Sequence, residues 1–204
     1  MNGAILAGGE ATRYDRRPKG LELVGGRRIV DRVAEALRES TGHDPILVAN
    51  VADAAAWLPG LRVVGDVDAG AGSLGGLLTA VTAAPAPVLC VAWDMPFVAA
   101  GLLRELAEGL AAGFDAFLPG SDSRRGVEPM CAAYGPACGP AIAAALARGD
   151  RRAIAFHPEV KVGILPLDRV RRWGDPERLF FNVNSPDDLL KADELWRESS
   201  RSSG

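Results

Sequence analysis

The chain is poor in the residues from which disulfide frameworks, metal clusters and histidine-based catalysis are built. It has three cysteines, Cys90, Cys131 and Cys138. They form no CxxC pair, and their odd number and wide spacing argue against a disulfide framework or a zinc site. They read as reduced thiols of a cytoplasmic protein. The two histidines, His43 and His157, sit in no recognisable constellation and read as surface residues. Charge of one sign is also lacking. The formal net charge is −3 with both signs scattered, which excludes a nucleic-acid or anionic-membrane surface as an overall property. Any phosphate chemistry must therefore be local. Neither the Rossmann fingerprint GxGxxG nor GxxxxGK[ST] is read in the chain, so neither a dinucleotide fold nor a P-loop is expected. No basic segment precedes an N-terminal hydrophobic core, and no secretory signal is expected. The uncharged stretch from Ala69 to Trp93 is long enough to raise a membrane span, but Pro85, Pro87 and many small residues interrupt it. Helix, turn and buried strand is the better reading.

What is present suits one globular domain. The 204 residues are 48% hydrophobic, enough for a sizeable core. One domain is expected over 1–198, with no internal repeat, and a tail over 199–204 that lacks periodicity and is expected to be frayed. Short apolar runs at Ala4–Leu6, Ile46–Val48, Val63–Val64, Val88–Val91, Ala116–Leu118, Met130–Tyr134 and Val162–Leu165 read as strands, most of them buried on both faces. Between them lie helical patterns at Ile29–Leu37, Leu74–Ala84, Leu102–Ala112 and Ala141–Ala147. A closing helix from Leu189 to Trp196 follows Ser185-Pro-Asp-Asp188, where Ser185 suits the N-cap and Pro186 the first helical position. This alternation predicts an α/β fold: three α/β/α layers, Rossmann-like, with a mostly parallel central sheet. In such sheets ligands collect beyond the carboxyl ends of the strands.

The opening strand breaks into Gly8 and Gly9, where missing Cβ atoms let backbone N–H groups approach an anion or a flat base. Arg13, Arg16, Arg17 and Lys19 follow within one loop, a grouping that suits a triphosphate and would equally suit a solvated basic turn. Asp94 comes just after the Val88–Val91 strand. There a carboxylate can offer a hard oxygen to a divalent cation, or cap a helix beginning near Pro96.

The order of these residues is more specific than their composition. Leu6-Ala-Gly-Gly-Glu-Ala-Thr-Arg13 with Pro18-Lys19, Asp66-Val-Asp-Ala-Gly-Ala-Gly-Ser-Leu-Gly-Gly76, Trp93-Asp-Met-Pro-Phe97 and Asn182-Val-Asn-Ser-Pro-Asp-Asp-Leu189 fall in sequence along nearly the whole chain. Together they resemble the nucleotidyltransferases of glycosyltransferase-A-like fold, and among them the molybdenum cofactor guanylyltransferases. The chain departs from that pattern where Tyr14-Asp15 follows Arg13, where Pro18 precedes Lys19, at Gly72-Ser-Leu74 and at Ala92-Trp-Asp94.

The resemblance implies transfer of GMP from GTP to the phosphate of molybdopterin, with release of pyrophosphate. It implies Mg²⁺, for which Mn²⁺ could stand in. Arg13, Lys19 and Asp94 become the catalytic candidates, and Leu6, Ala7, Gly8, Gly9, Lys19, Asn50, Asp66 and Asp94 the nucleotide-binding ones. Asp94 and Asn184 become the metal ligands, with Asn182 the alternative to Asn184; both asparagines equally suit a polar turn ahead of the last helix. Asp66-Val-Asp68 has the spacing with which sugar-transferring relatives hold metal, but the resemblance assigns Asp66 to the nucleotide. The strand after Glu128 resembles the one facing the acceptor, and Trp93 is expected to pack the core. CTP as donor, 2-phospholactate as acceptor, or a catalytically silent nucleotide-binding module are the alternatives. Contact with other molybdenum cofactor proteins is a further expectation, and nucleic acid and membrane are not expected as partners.

Overall fold

The computed structural model describes residues 1–7, 18–68, 70–83 and 86–202, the last three by backbone alone. In chain order it comprises β1 (Asn2–Leu6), β2 (Leu23–Val24), β3 (Arg27–Arg28), α1 (Ile29–Thr41), β4 (Ile46–Val48), β5 (Val63–Val64), α2 (Gly72–Ala83), β6 (Val88–Ala92), α3 (Ala100–Ala111), β7 (Ala116–Pro119), β8 (Cys131–Tyr134), α4 (Cys138–Ala147), β9 (Val162–Leu165), α5 (Leu167–Val170), α6 (Pro176–Leu179) and α7 (Pro186–Ser202). Seven strands form one sheet in the order β5-β4-β1-β6-β8-β7-β9. All of its pairings are parallel except those of β8, which runs antiparallel to β6 and β7.

The helices cover both faces, which gives the three layers expected from the alternation. On one side α1 and α3 bury Val33, Leu37, Leu102 and Leu106 against Ile5, Leu89 and Val91, and Ala192 of α7 joins them. On the other side α2 and α4 bury Leu74, Leu77, Ile142 and Ala145 against Ala4, Cys90 and Ala132. Alternate strand residues supply alternate cores, as the period of two requires. Central strands β6 and β8 are buried at every residue, whereas the edge strand β9 exposes Ile164 at 53%. A left-handed Gly42 at φ 74° ends α1 through its N–H to the Arg38 carbonyl, the usual role of glycine at a helix C-terminus. Among the described residues no helix is long and apolar enough to cross a membrane.

Two local expectations are corrected. No helix begins near Pro96, since α3 starts at Ala100 behind Ala99, so Asp94 is not a helix cap. The last helix runs to Ser202, so the expected tail is helical as far as that residue. Residues 203–204 lie outside the described part.

Chain reversal at β1 places the crevice. The chain first adds β4 and β5 on one side of β1, then returns to add β6 on the other. In open sheets this switch point is where ligand-bearing loops diverge.

Candidate active site

Four adjacent parallel strands deliver candidate residues to the same sheet end. Leu6 and Ala7 close β1, Asn50 follows β4, Asp66 follows β5 and Asp94 follows β6. Hydrogen bonds align these ends: Trp93 N–H donates to the Leu6 carbonyl at 3.1 Å, and Ala7 N–H donates to the Val48 carbonyl at 2.9 Å. Leu6 and Ala7 are buried, so what they can offer a ligand is backbone. Gly8, Gly9, Arg13, Arg16 and Arg17 lie outside the described residues.

Lys19 returns to this end in a single 3₁₀ turn, Lys19–Leu21, and is only 3% exposed. A buried ammonium needs a partner. Its Nζ donates to Asn184 Oδ1 at 2.7 Å. Asn184 is held in turn by its own N–H, which donates to Asp188 Oδ2 at 2.9 Å, while Ser185 Oγ accepts the Asp188 N–H at 3.2 Å. The Ser185 cap read from sequence therefore forms. Val183 N–H donates to the Asp94 carbonyl at 3.0 Å and ties this segment to the end of β6.

The cluster that results is Lys19, Asp94 and Asn184. Burial pushes the Asp94 carboxyl above its usual range, and the nearby Lys19 ammonium pulls it part of the way back. Asn182 is turned elsewhere, its Nδ2 donating to the Phe180 carbonyl at 2.9 Å. Of the two asparagines it is Asn184 that joins Lys19.

Asp94 fits a hard divalent cation: an incompletely compensated carboxylate whose ionised form a 2+ charge would stabilise. Asn184 Oδ1 keeps a second lone pair after accepting from Lys19. Among the described residues no group of three or more His, Cys, Asp or Glu side chains could hold a metal.

Asn50 and Asp66 form a reciprocal pair. Asn50 Nδ2 donates to Asp66 Oδ2 at 2.7 Å, and Asn50 Oδ1 accepts the Asp66 N–H at 2.6 Å. Both ends of the amide are thereby engaged with Asp66. Burial raises the Asp66 carboxyl, with the Asn50 and Thr79 hydrogen bonds acting against it and Asp68 adding to it. Thr79, buried in α2, also accepts the Val67 N–H at 2.9 Å, and no signal in the sequence marked that role. Gly70-Ala71-Gly72-Ser73-Leu74-Gly75 does spell GxGxxG, at the start of α2 after the edge strand β5. The last glycine is sterically required, because a Cβ on Gly75 would stand 2.7 Å from the Ala71 Cβ.

Trp93, the departure beside Asp94, lies in the core as expected. It stacks on Trp57 with centroids 5.0 Å apart and lies against Gly20, where an added Cβ would come within 2.5 Å of Trp93 Cε3. The residue next to Lys19 is thus seated on the indole. Antiparallel β8 begins at the same sheet end, which brings Glu128 alongside Asp94. Burial raises the Glu128 carboxyl, Met130 N–H and Arg125 oppose that, and Asp94 adds to it.

The cysteines are unbridged and buried, and burial pushes the Cys138 thiol up to about 12, which leaves no thiolate nucleophile there. His43 is exposed, but His157 is half-buried against Phe156 rather than on the surface.

A family described as the MobA-like NTP transferase domain matches residues 3–161. The chain belongs to that family. A probable molybdenum cofactor guanylyltransferase of Pelotomaculum thermopropionicum is 36% identical over 200 residues, covering 98% of this chain and 94% of that protein. A molybdenum cofactor guanylyltransferase of Desulfosudis oleivorans is 29% identical over 95% of this chain and 94% of its own length. Molybdopterin-guanine dinucleotide biosynthesis protein A of Archaeoglobus fulgidus superposes with a TM-score of 0.79 at 26% identity, covering 97% of this chain and all of that one. Family membership thus agrees with the resemblance carried by the four sequence segments.

Proposed function

We propose that this MobA-like transferase moves GMP from GTP to the phosphate of molybdopterin, releasing pyrophosphate, with Mg²⁺ as its metal. The observation that carries the proposal is the buried Lys19 hydrogen-bonded to Asn184 beside Asp94, at the sheet end where β1 and β6 meet. The relatives' names supply the donor and the acceptor.

Of the three N–H donors on Lys19, one goes to Asn184, and among the described residues no other partner takes the remaining two, which are assigned to anionic oxygens. In the reaction an acceptor phosphate oxygen forms a bond to the α-phosphorus as the bond from that phosphorus to the α,β-bridging oxygen breaks. Lys19, with Arg13 from the opening loop, balances the charge gathering on the leaving pyrophosphate. Asp94 and Asn184 would hold the metal. When bound, Mg²⁺ supplies Lewis-acid stabilisation of the phosphate oxygens. The acceptor is already an anion, so no general base is required. The chain supplies position and fixed charge. Asp66, oriented by Asn50 and by Thr79 of α2, meets the nucleoside. The backbone at Leu6 to Gly9 is assigned to the base: the Ala7 N–H is spent on the Val48 carbonyl, so N–H groups for guanine O6 fall to Gly8 and Gly9, with carbonyls of the segment for N1 and N2. The unbridged cysteines are in keeping with a cytoplasmic setting.

Pyrophosphate release with GTP, CTP and ATP, each against molybdopterin and 2-phospholactate, tests this directly. Release with GTP and molybdopterin supports the proposal. Release with 2-phospholactate instead keeps the reaction class and replaces the acceptor, and no release with any pair identifies a silent nucleotide-binding module.

A further inference from the structure

Beside Asp94 the same sheet end opens into a cavity of about 430 Å³, lined in part by Glu128, Ser121, Ser123, Phe181 and Asn182. The volume is that of a small-ligand site. Three carboxylates, Asp122, Glu128 and Glu177, line it, with Arg171 paired to Asp122 at 3.5 Å and Arg125 acting on Glu128. With more acceptors than donors in its lining, the cavity favours a ligand that brings N–H groups. The phosphate end of an acceptor is therefore directed to Lys19 and its other end to this cavity. The two places are neighbours, because Asn182 lines the cavity and the next residue, Val183, donates its N–H to the Asp94 carbonyl at 3.0 Å.

Glu128 is built to present a fixed edge. Met130 N–H donates to its Oε1 at 2.9 Å, which sets the carboxyl plane and leaves Oε2 and a further lone pair on Oε1 for a ligand. The segment itself is anchored, because buried Tyr134 donates its O–H to the Pro129 carbonyl at 2.7 Å. The same cavity is lined by Phe181, whose ring carries Lys191 Nζ 5.5 Å from its centroid, and by Ser121 and Ser123, whose hydroxyls are 2.7 Å apart. An aromatic wall, a carboxylate in a set plane and paired hydroxyls suit a flat heterocycle with two adjacent N–H groups on one edge.

We propose that Glu128 selects the acceptor by binding the edge of its pterin ring that carries the 2-amino group and the neighbouring ring N–H. This rests on the reading of molybdopterin as acceptor and adds the residue that recognises its heterocycle. The carboxylate takes both donors side by side, Phe181 covers the ring, and a serine hydroxyl meets the adjacent carbonyl.

The test uses the intact protein and the native fluorescence of 6-hydroxymethylpterin, titrated beside 6-hydroxymethyllumazine, in which a carbonyl oxygen replaces the amino group. The wild-type protein is expected to prefer the pterin by about tenfold or more, since the oxo compound turns one paired donor into an opposed acceptor. Glu128→Gln should abolish the preference, and Glu128→Asp, which keeps the charge, should retain part of it. A purely structural role would weaken both ligands alike. Equal affinities in the wild type, no pterin binding, or a preference unchanged in Glu128→Gln would each overturn the assignment. Pyrophosphate release with molybdopterin, followed in parallel, separates the outcomes: release without a Glu128-dependent preference removes this assignment alone, and preference without release removes the functional reading alone.

Discussion

Lys19 Nζ and Asn184 Oδ1 meet at 2.7 Å across 165 residues of chain, joining the end of the opening loop to the segment that leads into α7. Charge and amide are both fixed by that bond, so the two residues should act as a unit. Lys19→Ala is expected to lower kcat/KM by roughly 10²-fold or more, since a charge-assisted contact is worth about 1.5–3 kcal/mol and more in the transition state. Asn184→Ala should lower it as well, and the double variant by clearly less than the product. A double-mutant cycle reads the coupling directly. Additive effects, or a loss below threefold in Lys19→Ala, would separate Lys19 from the site.

Asp94 should show opposite effects on activity and stability. Its folded carboxyl lies above the unfolded value because of burial. The stabilising balance is therefore complete at pH below the unfolded carboxylate range and is lost as pH rises through the folded value. At neutral pH without metal, Asp94→Asn is expected to melt at or above the wild-type temperature while losing Mg²⁺-dependent turnover. Wild-type turnover at saturating Mg²⁺, or a markedly lower melting temperature, would take Asp94 out of this role.

Gly20 tests how Lys19 is seated. A methyl group there would stand 2.5 Å from Trp93 Cε3, well inside contact distance. Gly20→Ala is expected to cost about 1–3 kcal/mol by overpacking and to reduce kcat/KM by shifting Lys19. Adding Trp93→Leu should recover much of both losses. Thermal melts and steady-state rates on the pair of variants check this.

His157 carries the reverse sign from Asp94. Burial lowers its pKa from 6.5, so the unfolded chain takes up the proton first. Its contribution is present above pH 6.5 and is lost as pH falls through the folded value. Denaturant unfolding should show stability declining as pH falls from 6.5 to the folded value, and His157→Gln should flatten the decline.

Much of this architecture is legible in the residues themselves. All seven strands of the main sheet fall on the apolar runs, because central strands such as Val88–Ala92 are buried on both faces and need no polar alternation. Ser185-Pro186 marks the start of α7 by its chemistry. The hairpin of β2 and β3 is not legible, since two residues per strand carry no period. Gly25 and Gly26 at φ 57° and 75° are its only signal, in the left-handed region that tight hairpin turns require. Asp193 on distant α7 accepts the Gly25 N–H. At the site, Lys19, Asp94 and Asn184 are visible as types, but their meeting depends on tertiary closure. Thr79 and Asp188 orient their neighbours through hydrogen bonds formed on folding, which no spacing reveals. Asn50 reads in sequence as a weak nucleotide contact, whereas its amide is engaged at both ends by Asp66.

Guanylyl transfer is tested most directly by following α-phosphorus label. GTP and CTP, each labelled at that position, are incubated with the protein, Mg²⁺ and molybdopterin, and the label in the dinucleotide product is counted against time. The expected result is label from GTP in the product with equimolar pyrophosphate. Its kcat/KM should exceed that for CTP by at least about tenfold, because a base of reversed donor pattern leaves a buried polar group unpaired at about 1–3 kcal/mol. Equal transfer from both nucleotides, preference for CTP, or pyrophosphate released without label reaching molybdopterin would contradict it.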